Sequence, residues 1–158
     1  MPIIECGFLQ VPPPASPATA LAAIGPTTLV HVGFDPSLFG TATTSAPANL
    51  PAVPLTQNVL ALINTGAGES CIDEALAQQL QLPLVDTGQV SGIGGSTTVN
   101  VYLAHIVLPG LTTTQYGRFA GVHLAAGQQV HRVLIGRSLL RDTILIYDGQ
   151  SGSVKLAK

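Results

Sequence analysis

The chain consists of short apolar runs, rich in Val, Ile, Leu and Thr, that are separated by turns containing glycine or proline. Only 9% of its residues are charged, well below the share found in most globular domains. Short β-branched runs bounded by turn residues favour strands over helices. We therefore predict a mostly β fold, with strands at residues 27–34, 57–63, 119–124, 130–135, 143–147 and 153–156 and an edge strand within residues 2–11.

A hairpin and one main helix complete the prediction. Residues 89–108 alternate as two strands around the glycine-rich tip Gly92-Ile93-Gly94-Gly95-Ser96. Ser70 resembles a helix N-cap with Asp73 in a capping-box position, and Pro83 stops the helix. These signals predict one main helix at about 70–81. Residues 137–141 are expected to form a single helical turn.

The length of 158 residues indicates one domain. Residues 1–54 are expected to supply strands and loops rich in Pro, Ala and Thr to the same domain as residues 55–158. Within them, residues 12–26 are predicted to be a loop, and residues 35–54 a long surface connection that is mobile or functional.

Positive and negative charges are segregated along the chain. Residues 1–117 contain six acids and no Lys or Arg, whereas residues 118–158 contain all six basic residues and two acids. The two parts, at −6 and +4, should attract each other when packed. No basic cluster is dense enough for nucleic acid. The low charge leaves two possibilities open: a poorly soluble surface, or apolar surface covered by a partner or a second copy.

Several other kinds of site receive little support from the sequence. Cys6 and Cys71 do not make a disulfide scaffold, and a packed free thiol is expected at Cys71, within the predicted helix. The four histidines lack metal-ligand spacing, so no metal site is predicted. Neither a signal peptide nor a transmembrane segment is recognisable, which favours a cytoplasmic location.

Three segments, in order along the chain, carry the functional signal. The first is Leu62-Ile63-Asn64-Thr65-Gly66-Ala67, an apolar strand running into a tight turn. The second is the hairpin tip at residues 92–96. The third is Val133-Leu134-Ile135-Gly136-Arg137-Ser138-Leu139-Leu140. Taken alone, Asn-Thr-Gly is an ordinary turn after a strand, and the glycine-rich tip is a plain hairpin. Their combination is more specific.

With aspartate at position 64, the first segment would be the active-site loop of an aspartic protease. Over roughly residues 55–150, the chain resembles the retropepsin-like aspartic proteases, the retroviral protease family and its bacterial and cellular relatives. Residues 70–73, Ser-Cys-Ile-Asp, are more similar to the bacterial and cellular branch than to the viral enzymes.

This resemblance implies a closed β-barrel of a single lobe, with the protease core at residues 55–158 and no cofactor. The implied catalytic loop is Asn64, Thr65 and Gly66. The implied substrate contacts are Ala67 and the flap residues Gly92, Ile93, Gly94, Gly95 and Ser96. The implied support behind the loop is Ile135, Gly136 and Arg137.

The family hydrolyses peptide bonds with two carboxylates that share a proton and activate a water. This chain has one such loop, since Asp142-Thr143 is followed by Ile144 and Asp148-Gly149 lacks the middle residue. The resemblance therefore implies a symmetric homodimer that holds an extended peptide or unfolded protein under two flaps.

Two residues depart from the family pattern. Asn64 stands at the catalytic aspartate position, and a carboxamide neither titrates nor accepts a proton as a base. We predict almost no proteolysis by this chain. Gly68 stands where viral relatives have an acid that pairs with the arginine after the supporting glycine, so Arg137 needs another partner, for which Glu69 is a candidate.

Three interpretations of the chain remain open. Asn64 is either an Asp→Asn replacement that silences an active endopeptidase or the natural residue of a peptide-binding pseudoprotease. The third interpretation is a β-rich structural or interaction domain unrelated to proteases.

Overall fold

The computed structural model of the chain describes residues 1–7, 14–39 and 49–158. It is mostly β, at 51% strand, as predicted. The strands are β1 (Ile3–Gly7), β2 (Thr27–Phe34), β3 (Val53–Ile63), β4 (Cys71–Asp73), β5 (Leu84–Gly92), β6 (Gly95–Leu108), β7 (Thr113–Val122), β8 (Val133–Ile135), β9 (Ile144–Asp148) and β10 (Ser153–Ala157). The helices are α1 (Pro17–Ile24), α2 (Glu74–Gln79) and α3 (Arg137–Leu140), with a 3₁₀ turn at Pro36–Phe39.

Six strands pair in a ring-like sheet, in the order β2-β3-β8-β4-β7-β6. The ring closes where His31 and Gly33 of β2 lie opposite Val107 and His105 of β6. The pairs β3–β8 and β4–β7 are parallel, and the other pairs are antiparallel. Strand β5 pairs with β6 alone and forms a hairpin with it.

A second sheet, β1-β10-β9, joins the two ends of the chain. One of its faces packs into the hydrophobic core through Cys6, Val154 and Leu156. The fully buried Val154 and Leu156 side chains each stabilise the fold by roughly 1.5–3 kcal/mol relative to exposure. The other face leaves Ile3, Ile144 and Ile146 more than half exposed.

Ion pairs join the two oppositely charged parts of the chain. In the described part of the chain there are three ion pairs: Arg118–Asp86, Arg132–Asp73 and Lys155–Glu5. Each joins a basic residue of the last 41 residues to an acid of the first 117. Cys6 and Cys71 are free thiols.

The main helix is shorter than predicted. Residues 71–73 form strand β4, which pairs with β7 and β8, and helix α2 begins only at Glu74. The N-cap is Asp73, whose carboxylate accepts the Leu76 N–H, so the prediction of Ser70 as the cap is wrong. Cys71 accordingly lies in a strand, where it is half-buried. Strand pairing has overridden the local helix signal at residues 70–73.

Part of the predicted loop at residues 12–26 is helical. Ser16 caps α1 by accepting the Thr19 N–H, and Pro17 occupies a first-turn position where its missing N–H costs nothing. Residues 8–11 of the predicted edge strand and residues 40–48 of the predicted 35–54 connection lie outside the described residues. The described ends of that connection are the 3₁₀ turn and the start of β3 at Val53.

The remaining strands match their predicted places with shifted ends. Strand β3 starts earlier than residue 57, β7 spans Thr113–Val122 instead of 119–124, and β8 is limited to Val133–Ile135. The predicted helical turn at 137–141 corresponds to α3. No helix in the described residues is long and apolar enough to cross a membrane.

Candidate functional site

The loop that begins at Asn64 is held at its start by the parallel pair β3–β8. The Asn64 N–H donates to the Ile135 carbonyl at 2.9 Å, continuing the pairing past the end of β3. The Ala67 N–H then donates to the Asn64 carbonyl at 3.1 Å, which closes a tight turn. Asn64 is half-buried, whereas Thr65 and Gly66 are exposed. The turn therefore presents its tip to solvent on a fixed base.

The Asn64 side chain is oriented by its own loop. Its Oδ1 accepts the Gly66 N–H at 3.1 Å. A Cβ at position 66 would lie 3.2 Å from the same oxygen, so glycine keeps this approach open. An aspartate at position 64 would accept the same hydrogen bond, since a carboxylate has the same shape as a carboxamide and one more acceptor oxygen. The loop thus accommodates either Asn or Asp at position 64.

The segment after β8 supports the loop through its backbone and one side chain. The N–H groups of Arg137 and Ser138 donate to the carbonyls of Ala67 and Gly68 at 3.0 and 2.9 Å. The Arg137 Nη1 donates to the Thr65 carbonyl at 2.7 Å. This carbonyl is the partner of Arg137, and the described residues contain no ion pair between Arg137 and Glu69. The three predicted support residues therefore all contact or adjoin the loop.

Gly136 lies where two backbones come too close for a side chain. A Cβ there would overlap the backbone carbonyl group of Glu69. Its N–H donates to the Ser70 Oγ at 3.1 Å in a buried position. Ser70 in turn donates to Gln115, and Gln115 donates to Ser138. The sequence predicted a helix cap at Ser70 and no role for Gln115, because neither residue type signals a contact 45 to 66 residues away.

The glycine-rich hairpin tip stands apart from this loop. Ile93 is fully exposed, and no atom lies within 4 Å of a Cβ built at Gly92, Gly94 or Gly95. Lower down, Gln89 bonds both Thr98 and Ser96 across the hairpin. Within the described residues no hydrogen bond joins the predicted flap residues to the loop at 64–67. The hairpin tip is therefore free to contact another molecule.

A buried carboxylate without a local signal in the sequence lies at Glu74, the first residue of α2. Glu74 Oε1 accepts hydrogen bonds from Tyr102, Asn100 and Gln78 at 2.7–2.8 Å, whereas Oε2 is buried without a partner. Burial raises the pKa of this carboxyl, but the three donors outweigh burial and its pKa lies below the usual value. Because Gly121 has no side chain, it leaves room for the Oε2 atom of Glu74. Glu74 therefore ties α2 to the sheet as a carboxylate.

A histidine is buried beneath the start of β2. His131 is fully buried, and its Nε2 lies 2.8 Å from the Thr27 Oγ1, which itself donates to the Gly25 carbonyl at 2.9 Å. With the Thr27 hydroxyl donating to Gly25, we assign the His131 proton to Nε2, which leaves the buried Nδ1 unprotonated. Burial lowers the pKa of His131. In the described residues no three His, Cys, Asp or Glu side chains are grouped to bind a metal.

An open surface depression adjoins the loop. It is lined by Gly68, Glu69, Arg137, Ser138 and Arg141.

A scan against protein-family models and a search of curated proteins found no match to this chain.

Proposed function

We propose that this chain has the retropepsin-like aspartic protease fold and is an inactive form of an endopeptidase in that family. The observation that carries the proposal is the Asn64 turn: its side-chain oxygen is held by the Gly66 N–H, and its backbone is clamped by Ile135 and Arg137. Such a clamped loop gives a reacting carboxylate the rigidity that acid–base chemistry needs. The β-rich fold and ring-like sheet are compatible with the single-lobed barrel of that family.

The proposed enzyme works as a homodimer, because one loop per chain supplies one reacting group. With aspartate restored at position 64 of both subunits, the two carboxyl groups would share a proton; one would activate a water and the other would polarise the scissile carbonyl. The exposed hairpin tip at Ile93 would close over the peptide. Exposed apolar side chains, such as Ile144 and Ile146, provide surface for a second subunit to cover.

The test is to restore the acid. The Asn64→Asp variant should cleave unstructured proteins at mildly acidic pH, whereas the chain with Asn64 should not. Asn58→Asp is a matched control, since Asn58 lies in β3 with a positive φ of 58° that aspartate also tolerates. Cleavage by both variants would point to a contaminant. Absence of cleavage by a folded, dimeric Asn64→Asp protein would contradict the proposal.

A natural peptide-binding pseudoprotease is the second candidate, and the residue that favours it is Asn64 itself. The carboxamide makes the hydrogen bond to the Gly66 N–H, so the loop does not depend on a carboxylate. A pseudoprotease would bind extended peptides as a dimer and stay inactive after Asn64→Asp. A β-rich interaction domain unrelated to proteases, the third interpretation, is favoured if the chain is a monomer across a wide concentration range.

A further inference from the structure

Two arginines beside the Asn64 loop have no carboxylate partner among the described residues. Among the described residues, the basic side chains that form ion pairs are those of Arg118, Arg132 and Lys155. Arg137 and Arg141 belong to none of them. The undescribed stretches 8–13 and 40–48 contain no Asp or Glu, so they bring no carboxylate side chain to this pair. The chain therefore leaves two positive charges unneutralised at α3.

The geometry of the surface depression brings both arginines to one place. Arg137 is anchored by its Nη1 hydrogen bond to the Thr65 carbonyl. Arg141 follows one helical turn later, which sets the two Cβ atoms roughly 5–6 Å apart. Gly68 contributes no side chain, and a Cβ built there would lie 3.7 Å from the Arg137 Nη2. Space next to the guanidinium is thus left open close to the Asn64 loop.

The charges in this depression favour an anion. Two like charges one helical turn apart repel each other, and a carboxylate between them relieves that repulsion. Guanidinium groups also match the two oxygens of a carboxylate geometrically. Glu69 is the one acid that lines the depression. It forms no ion pair with either arginine in the described part of the chain, so the lining keeps a net positive charge.

We propose that Arg137 and Arg141 form a specificity site for an acidic side chain, Asp or Glu, of the extended peptide that crosses the Asn64 loop. This inference rests on the proposed function, because it assumes that a peptide lies along the loop. It predicts a preference for acidic substrates that depends on one register of the peptide. Removing the Glu69 charge by Glu69→Gln should strengthen that preference.

The experiment uses a panel of neutral peptides in which a single Glu is moved along the sequence, each with a Gln counterpart. The Asn64→Asp protein provides kcat/KM values, and the chain with Asn64 provides binding by fluorescence anisotropy. At one register the Glu peptide should exceed its Gln counterpart by about two- to fivefold, the range for an ion pair with exposed arginines. The ratio of the Glu peptide to its Gln counterpart should fall with added salt.

Arg141→Gln should abolish the preference for the Glu peptide. Lys158→Gln, which removes an exposed charge that is in no ion pair of the described residues, should preserve it.

The outcomes separate this inference from the proposed function. If Asn64→Asp cleaves the panel but Glu and Gln peptides are equal at every register, the specificity site is wrong and the protease proposal stands. If nothing is cleaved, binding to the chain with Asn64 decides: an Arg141-dependent Glu preference supports the site, and its absence overturns it. If Arg141→Gln and Lys158→Gln lose the preference for the Glu peptide equally, the preference comes from overall charge, and the specificity site is also overturned.

Discussion

The Ser70 hydroxyl oxygen accepts a hydrogen bond from the Gly136 N–H at 3.1 Å, across 66 residues of sequence. This bond joins the end of the Asn64 loop to the start of the segment that supports it. The same hydroxyl donates to Gln115 of β7 at 2.9 Å. One small side chain therefore connects three parts of the ring-like sheet around the candidate site.

Ser70→Ala should destabilise the protein by about 1–3 kcal/mol, because it leaves the buried Gly136 N–H without an acceptor. Urea unfolding measures the change. Ser91→Ala, at an exposed position on β5, is the matched control and should change the free energy of unfolding by less than about 0.5 kcal/mol. Equal effects of the two substitutions would show that the Ser70 bond does not stabilise the loop.

Gly136→Ala should be more damaging than an alanine in open space. The added Cβ would overlap the Glu69 carbonyl group, so the backbone must move, at a cost of about 1–3 kcal/mol. Gly94→Ala, where no atom lies within 4 Å of the new Cβ, should be nearly neutral in the same denaturation assay. In the Asn64→Asp background, Gly136→Ala should also lower peptide cleavage. A Gly136→Ala protein as stable as the parent would contradict the tight packing.

Glu74 should make stability depend on acidity. Its pKa in the folded protein lies below the ordinary value of 4.5, so the unfolded chain binds the proton more readily. The resulting stabilisation is complete above about pH 4.5 and is lost as the pH falls through the folded pKa. Glu74→Gln should flatten the unfolding free energy in that range, and Glu69→Gln, an exposed control, should not. An unchanged profile for Glu74→Gln would contradict the three hydrogen bonds assigned to the carboxylate.

His131 should affect stability in a higher pH range. Since burial lowers its pKa from 6.5, the unfolded chain takes up the proton first, and stability falls as the pH drops below that value. His105, whose pKa is also lowered by burial and partly restored by Asp35, should act in the same direction. Nitrogen NMR should find the folded His131 ring more than half neutral at pH 6.5, the ordinary pKa, with the neutral form protonated at Nε2. A ring that is mostly charged at that pH in the folded protein would contradict the lowered pKa.

Much of the strand content can be predicted from the sequence, because the alternation of apolar and polar residues and the turn residues are local signals. The strand predicted at 27–34 matches β2, and the turn between Gly92 and Gly95 falls within the predicted tip. The helix beginning at Pro17 also had local signals, Ser16 before a proline, but the Pro- and Ala-rich surroundings suggested a loop.

The contacts around the candidate site depend on partners that are distant in sequence, so local signals do not predict them. Residues 70–73 carry a helix-start pattern, yet pairing with β7 and β8 makes three of them a strand. Ser70 and Gln115 act through residues far away in sequence, and Glu74 is buried by Tyr102 and Gly121 of other strands. The turn at Asn64 was predictable because its chemistry lies within one short segment.

The shared active site is tested by mixing the chain with Asn64 and the Asn64→Asp protein at constant total concentration and refolding the two together. If each active site needs an aspartate at position 64 from both of its subunits, activity should follow the square of the fraction of Asn64→Asp chains. An equal mixture should then retain about one quarter of the activity. Retention of half the activity would mean that each chain works alone, and no activity at any ratio would mean that the Asn64 turn is not a catalytic loop.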